Sequence, residues 1–529
     1  MTATAIRREV TPTESRKGAV PEVSLTFHSR SEDLGLKRRE PIDQKTYLVS
    51  GEIRHWFGQS TEVTSPLDLG EGDSRLGSYP ALGAKESLEA LRAAKEAYNY
   101  GLGEWPQMSL IDRTSQVLEF ARRMEEVREV VIERIVLEIG KTTADATSEF
   151  DRTVEYIRRS CEEALKLHDE SQEILRIDGV EASISREPIG TTLCMGPFNY
   201  PLNETFTTMI PALLMGNTVV MKPPKAGVLL FEPMLEALRD SFPPGVVNVI
   251  YGDGAEIIGP IMESGDIDVL SFIGSAKVAD IVSGAHPEPH RLKKILGLGA
   301  NNPAVVLPDA DLDATIPIAA KGSLSYNGQR CTALKVHLVV GEELAREYAH
   351  RLAEYVKGME LGDPREPGVQ ITPLAEGPWK IQYLQELIED AVSKGARIMN
   401  EGGGTAEGNL FTPAVLYPVT PEMRVFHEEQ FGPVVPVAPI SSVEEAVEFI
   451  AHSKEGQQVS IFSSDDEKLY TLASKLQRLV GRVNLNDACK RGPDELPFTG
   501  KRSAAMGTLS IRAALDEFSS PTVSARPLR

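Results

Sequence analysis

Two short stretches carry residue types that could do covalent chemistry on a carbonyl. Asn327-Gly328-Gln329-Arg330-Cys331-Thr332 sets a cysteine in a polar turn, and Gly196-Pro197-Phe198-Asn199-Tyr200-Pro201 lies about 130 residues upstream. A thiol that ionises attacks an electrophilic carbon, and a fixed side-chain amide can hold the resulting oxyanion. Cys331 is therefore the candidate nucleophile and Asn199 the candidate oxyanion donor. A lone cysteine is more often a small packing residue, so it is the pairing of the two motifs that points to chemistry. Cys161 in a helical run and Cys194 in a strand are expected in the core, and Cys489 near Arg491 is expected to pack. The nine histidines show no ligand spacing and the cysteines no CxxC, so no metal is expected.

Elements that could position these residues follow from periodicity. From about Ala84 to Lys166 the pattern is helical. Ile174 to Ser185 alternates with period two around Asp178-Gly179, a hairpin signal. Short apolar strands then alternate with helices: Thr191 to Met195, Thr218 to Met221, Val246 to Ile250 and Val269 to Phe272. Such alternation predicts a parallel, doubly wound α/β sheet. A second α/β unit starts near Pro303 to Leu307 and runs to about Phe498, holding the cysteine turn and the strands Val336 to Val340, Val434 to Val437 and Val459 to Phe462. The tail from Ala514 is expected to be extended.

At 529 residues the chain is expected to form two or three domains. Its net charge of −21, from 77 acidic and 56 basic side chains, makes it a poor general binder of nucleic acid. No apolar run is long enough to span a membrane. Four widely spaced cysteines predict a reducing, cytoplasmic setting. Residues 1–45 lack both an apolar h-region and a basic excess, so a polar arm is expected rather than a targeting peptide.

No GxGxxG follows any predicted strand. Phe272-Ile273-Gly274-Ser275 follows a strand and opens a helix, where free N–H groups could face a pyrophosphate. Gly252 and Gly254 would allow close backbone approach after the preceding strand. Ordinary strand-to-helix turns would look the same. Lys222-Pro223-Pro224-Lys225 ends another strand. A lysine there favours a ribose 2′-phosphate, where an acid would favour a free hydroxyl. Lys225 thus points to NADP, with NAD as the alternative.

Taken together, these residues resemble the aldehyde dehydrogenase superfamily, and within it the NADP-dependent, non-phosphorylating glyceraldehyde-3-phosphate dehydrogenase branch. The resemblance runs from about Tyr47 to Phe518. Besides the two opening motifs it rests on Lys222-Pro223-Pro224, Glu429-Gln430-Phe431-Gly432-Pro433 and Arg491-Gly492-Pro493-Asp494. It implies a Rossmann-type cofactor domain over 46–170 and 188–298, an α/β catalytic domain over 299–500, and an oligomerising β-flap over 171–187 and 501–529. Dimers or tetramers follow from the same resemblance, which also supports Cys331 and Asn199 in their roles. It implies Lys222 and Glu429 on the cofactor's riboses, Phe431 near the nicotinamide and Ser275 at the pyrophosphate, while Pro197, Phe198, Gly254, Phe272 and Gly274 are further cofactor-binding candidates. In the branch, arginines matching Arg152, Arg330 and Arg491 grip a substrate phosphate, and Tyr200 accompanies them. The planar guanidinium fork meets phosphate oxygens two at a time.

Two departures bear on mechanism. The family stretch Leu-Glu-Leu-Gly-Gly-Lys carries the glutamate that activates water, whereas this chain reads Leu296-Gly297-Leu298-Gly299-Ala300-Asn301. A family lysine in the helix after the asparagine motif is replaced by Thr208. A positioned base is worth about 10²–10⁴ in rate, roughly 3–5 kcal/mol. Acylation of Cys331 is thus expected to survive, and deacylation to be slow or served differently. Glu204, one helical turn before Thr208, could be that base, or could merely complement its helix dipole. Coenzyme A could instead accept the acyl group. A third reading is a family member kept as a binding protein after losing turnover.

Overall fold

The computed structural model describes residues 40–69 and 74–528. The polar arm expected over residues 1–45 lies outside these up to position 39. None of the described helices is long and apolar enough to cross a membrane.

The first sheet is built on five parallel strands: β1 (Thr191–Met195), β2 (Thr218–Lys222), β3 (Val247–Val249), β4 (Val269–Ile273) and β5 (Lys293–Gly297). Their spatial order is β5-β4-β1-β2-β3. All five residues of β1 and of β4 are buried, as strands covered on both faces must be. The order reverses between β1 and β4, and the loops after these two strands open at the switch point where doubly wound sheets bind ligands. Asn199 follows β1, and Gly274-Ser275 follows β4. Three antiparallel strands extend this sheet. Thr46–Val49 and Glu52–His55 add beyond β3, and Ala505–Met506 pairs with β5, Ala505 opposite Gly297.

The helical run before it breaks into Ala84–Tyr98, Glu104–Gln107, Leu110–Glu126, Arg128–Ile139 and α1 (Thr143–Ser171). Asn99 and Tyr100 end the first at φ 45° and 55°, and Gly140 ends the fourth at φ 68°, where a Cβ would be strained. Thr142 starts α1 by accepting the Asp145 N–H at 3.1 Å. After β1 comes α2 (Asn203–Leu214), and α3 (Gly254–Glu263) and α4 (Ala276–Gly284) follow β3 and β4.

The second sheet has six parallel strands: β6 (Asn302–Val306), β7 (Leu334–Val340), β8 (Ala414–Tyr417), β9 (Val434–Ile440), β10 (Gln458–Phe462) and β11 (Arg482–Leu485). They run in the order β8-β9-β7-β6-β10-β11, with Arg397–Ile398 antiparallel on β8. The cysteine turn bridges α5 (Leu312–Leu324) and β7.

The tail differs from the extended segment expected from Ala514. Ile511–Glu517 is a helix whose Ile511, Ala514 and Leu515 are buried against the first sheet's core. Every third or fourth residue there is apolar, a signal too short to separate from noise in a polar stretch. Only Ser519–Pro527 joins the hairpin Ile174–Ile177/Val180–Pro188, so the three-stranded flap is narrower than 501–529. Asp178 and Gly179 turn that hairpin at φ 49° and 81°. Ile177, Val180, Ile184 and Val523 are exposed, and the register puts them on one face of the flap: Ile177 opposite Val180, and Val523 opposite Ile184.

Candidate active site

The cysteine turn is built under strain. Tyr326, Asn327 and Gly328 take φ of 47°, 56° and 70° in succession. Left-handed non-glycine residues cost about 1–3 kcal/mol each and persist where surroundings over-determine them. Asn327 exchanges two hydrogen bonds with the Thr372 backbone, each 2.9 Å, and the Tyr326 hydroxyl donates to the Ile139 carbonyl at 2.8 Å. A Cβ on Gly328 would lie 2.7 Å from the Gly432 carbonyl oxygen. The Asn302 amide donates to the Cys331 carbonyl at 2.7 Å. Cys331 itself is half-buried. Burial pushes its thiol up to about 11, helped by the charges of Glu204 and Glu429, while hydrogen-bonded Gln457 and the Lys335 ammonium pull it down.

Asn199 meets this turn. Its Nδ2 donates to the Gln329 carbonyl at 2.8 Å, two residues before the sulfur, and the side chain is buried. The loop that carries it is pinned by a pair absent from the sequence reading, Lys141 with Glu149 at 2.5 Å, both fully buried. Glu149 accepts the backbone N–H groups of Leu202 and Asn203 at the start of α2, at 3.0 and 3.1 Å. The Lys141 ammonium sits 3.4 Å from the Tyr200 ring centre and 4.9 Å from that of Tyr326. One buried cation thus touches both motifs.

The candidate substrate arginines are not left bare. Arg152 forks onto Asp494 through Nε and Nη2 at 3.1 and 2.6 Å. Arg491, 6% exposed, pairs with Glu204 through Nη1, approaches Asp494 at 3.5 Å, and lies 4.9 Å from the Phe498 ring centre. Asp494 therefore joins Arg152 to Arg491. Arg330 turns the other way: its Nε donates to the Ser325 carbonyl at 3.2 Å and its Nη2 to that of Gly322 at 2.7 Å, around the C-terminus of α5. Glu204 bonds to Arg491 rather than toward Thr208, whose hydroxyl donates to the Thr205 carbonyl inside α2.

On the other side, Phe198 and Phe431 meet edge to face at 5.8 Å, with half-buried Pro197 just before Phe198. Glu429 lies 3.5 Å from the Lys335 ammonium, which donates to the Gly328 carbonyl at 3.2 Å and faces the Phe431 ring at 4.9 Å. Burial brings Lys335 down to about 8 despite Glu429. A second buried lysine, Lys380, lies 5.8 Å from the same ring centre. A lysine inside β7, whose other residues apart from His337 are apolar, was a legible signal for Lys335. Lys380 gave none.

Lys222 ends β2, half-buried, and burial lowers it to about 8, with Asp253 opposing and exposed Lys225 assisting. Gly254 opens α3 with nothing within 4 Å of where a Cβ would point, and the Asp253 carboxylate caps the Ala255 N–H at 2.9 Å. Gly274 leaves room for the Phe272 ring, which a Cβ would meet at 2.4 Å. Ser275 caps α4 by accepting the Val278 N–H at 3.3 Å. All these residues fall at the carboxyl ends of parallel strands. At Gly297 a Cβ would meet only carbons, Ile273 Cγ1 at 3.3 Å and Leu509 Cδ1 at 3.7 Å. A separate cavity of about 760 Å³ has Glu429 and Asn301 in its wall, but neither Cys331 nor Asn199.

The loops after β1 and β4 leave the parallel sheet at its switch point, and the Asn199 amide fastens the strained cysteine turn to the first of them. The chain belongs to the aldehyde dehydrogenase family, whose model matches residues 58–523. It is 33% identical over 452 residues to the NADP-dependent glyceraldehyde-3-phosphate dehydrogenase of Streptococcus equinus, covering 83% of this chain and 91% of that one. It is 26% identical to the 3-sulfolactaldehyde dehydrogenase of Priestia aryabhattai over 81% of this chain and 88% of the other. Its fold superposes on a crystal structure of the NADP-dependent glyceraldehyde-3-phosphate dehydrogenase from Bacillus halodurans C-125 complexed with NADP. There the TM-score is 0.84 and the identity 33%, over 92% of this chain and all of that one.

Proposed function

We propose that this protein oxidises a small phosphorylated aldehyde, glyceraldehyde 3-phosphate, to its acid, with NADP as oxidant and Cys331 as carrier of the acyl group. The observation that carries the reading is the hydrogen bond from the Asn199 amide to the Gln329 carbonyl, which holds an oxyanion donor against the thiol turn. The Cys331 thiolate adds to the aldehyde carbon, and Asn199 receives the alkoxide. Phe198 and Phe431 flank the turn and exclude water while the acyl bond to sulfur forms. Bound NADP supplies the hydride acceptor. The residues present fit it: the open backbone at Gly254, the N-terminus of α4 at Ser275, and Lys222 with exposed Lys225 at the end of β2 suit a pyrophosphate and a 2′-phosphate. Glu429 would hold the ribose nearer the thiol.

The phosphate class rests on Arg152 and Arg491, joined through Asp494, with Arg330, whose Nη1 has no hydrogen bond among the described residues, as a further contact. The names of the relatives support the same class, since each acts on an aldehyde bearing an anionic group. The flap's apolar face supports self-association into dimers or tetramers.

The test is to mix the protein with NADP and glyceraldehyde 3-phosphate and follow NADPH against enzyme concentration. Steady turnover is expected, at least tenfold faster than with NAD at equal concentration. The carbon-lined surroundings of Gly297 favour coenzyme A as a second reading. In that case one equivalent of NADPH forms, stalls, and resumes on adding coenzyme A. The absence of any NADPH would overturn both.

A further inference from the structure

We propose that the phosphate of the substrate, by taking Arg491, frees Glu204 to act as the base that hydrolyses the Cys331 thioester. This rests on the phosphorylated-aldehyde reading above.

A base is needed because Gly297 offers none and its surroundings are carbon. Asn199 bonds the cysteine turn and Glu204 lies in the first helical turn just beyond it, and the charges of Glu204 and Glu429 both push the Cys331 thiol up. Glu429 is tied to Lys335 beside Phe431, on the side assigned to the cofactor. Glu204 stands on the other side, in the first turn of α2, five residues after Asn199. Its N–H donates to the Tyr200 carbonyl at 3.1 Å, so its backbone is fixed to the oxyanion loop. The side chain, 12% exposed, is held by the Arg491 guanidinium.

That pairing is what a substrate would change. Arg152 and Arg491 face Asp494 and Glu204, two cations against two carboxylates, so the cluster is neutral at rest. A phosphate monoester brings about −1.5 to −2 charges and three acceptor oxygens. It therefore competes with a single carboxylate for a guanidinium fork. Asp494 is bound bidentately by Arg152, whereas among the described residues Glu204 has one ion pair, with Arg491, and a 3.5 Å hydrogen bond from the Thr207 hydroxyl, so Glu204 is the partner that yields. The step balances simply. Water oxygen bonds to the thioester carbon and one of its protons passes to Glu204. The C–S bond then breaks, its electron pair leaves on Cys331 as thiolate, and the acid departs. Glu204 returns its proton to solvent and regains Arg491 when the phosphate leaves.

The chain would thus distinguish substrates in deacylation, while acylation stays permissive. Pre-steady-state NADPH formation separates the two phases. With glyceraldehyde 3-phosphate the wild type is expected to show a burst followed by steady turnover. With unphosphorylated glyceraldehyde the burst is expected to be followed by turnover at least tenfold slower, and inorganic phosphite should raise that second phase at least fivefold. Glu204→Gln should keep a burst within twofold of wild type, lose at least 100-fold in the steady phase, and no longer respond to phosphite. An unchanged steady phase in Glu204→Gln overturns the proposal. If that variant loses its burst as well, the wild-type phosphite response decides, and no response overturns it. Absence of any NADPH from the wild type with glyceraldehyde 3-phosphate would instead sink the underlying reading of substrate and nucleophile.

Discussion

The sulfur of Cys331 sits where ionisation is resisted. Burial and the Glu204 and Glu429 charges hold its thiol near 11, and the Lys335 ammonium that opposes them is itself brought down to about 8. The thiolate is the reactive form, so the free protein should be slow to alkylate at neutral pH. Iodoacetamide labelling of Cys331 is expected to accelerate about tenfold per pH unit from 7 toward 10, with a shallower stretch where Lys335 discharges. Cys161 and Cys489, buried and pushed up to about 12, should remain unlabelled in the folded protein, as should Cys194. A labelling rate that levels off below pH 8 would mean that the cation balance around the sulfur is not the one described.

At the scale of elements, the segment from α1 to the start of α2 is organised by one buried ion pair. Glu149 answers the first free N–H groups of α2, and Lys141 answers Glu149 while facing Tyr200 and Tyr326. Removing one member of such a pair leaves a buried charge and costs about 3–5 kcal/mol. Lys141→Met is expected to lower stability in urea by that amount and to reduce turnover. Adding Glu149→Gln should recover part of the stability, and additive losses in the double variant would contradict the pairing. Nothing in the sequence advertised this contact, because Lys141 and Glu149 look like any two charges flanking a helix start. The parallel strands were legible, since β1, β2 and β4 are short, mostly apolar stretches between helical segments. Thr46–Val49 and Glu52–His55 were not, as each is only four residues long and Glu52–His55, at the sheet edge, carries three polar side chains. The two motifs named Cys331 and Asn199 as candidates, and the Asn199 amide bonds the turn that holds Cys331. The commitments of Arg491 to Glu204 and of Arg330 to the end of α5 depend on packing between segments that no single sequence displays.

The two sheets meet where the loop after β1 bonds the turn before β7 through Asn199. The flap stands apart from both, and its outer face carries Ile177, Val180, Ile184 and Val523. Exposed apolar residues gathered on one face mark an association surface. Ile184→Glu with Val523→Glu puts like charges at directly opposed positions of that face. The variant is expected to sediment as a monomer while the wild type sediments as a dimer or larger. A monomeric wild type would remove the flap from that role.

The central claim, a thioester on Cys331 formed under the Asn199 amide, is tested most directly by intact-mass analysis of the protein quenched in acid milliseconds after mixing with NADP and glyceraldehyde 3-phosphate. The account predicts an added acyl mass on Cys331 at up to one equivalent, lost in Cys331→Ser and formed at least 100-fold more slowly in Asn199→Ala. NADPH appearing with no acyl mass at any time, or with the mass on another residue, would contradict it.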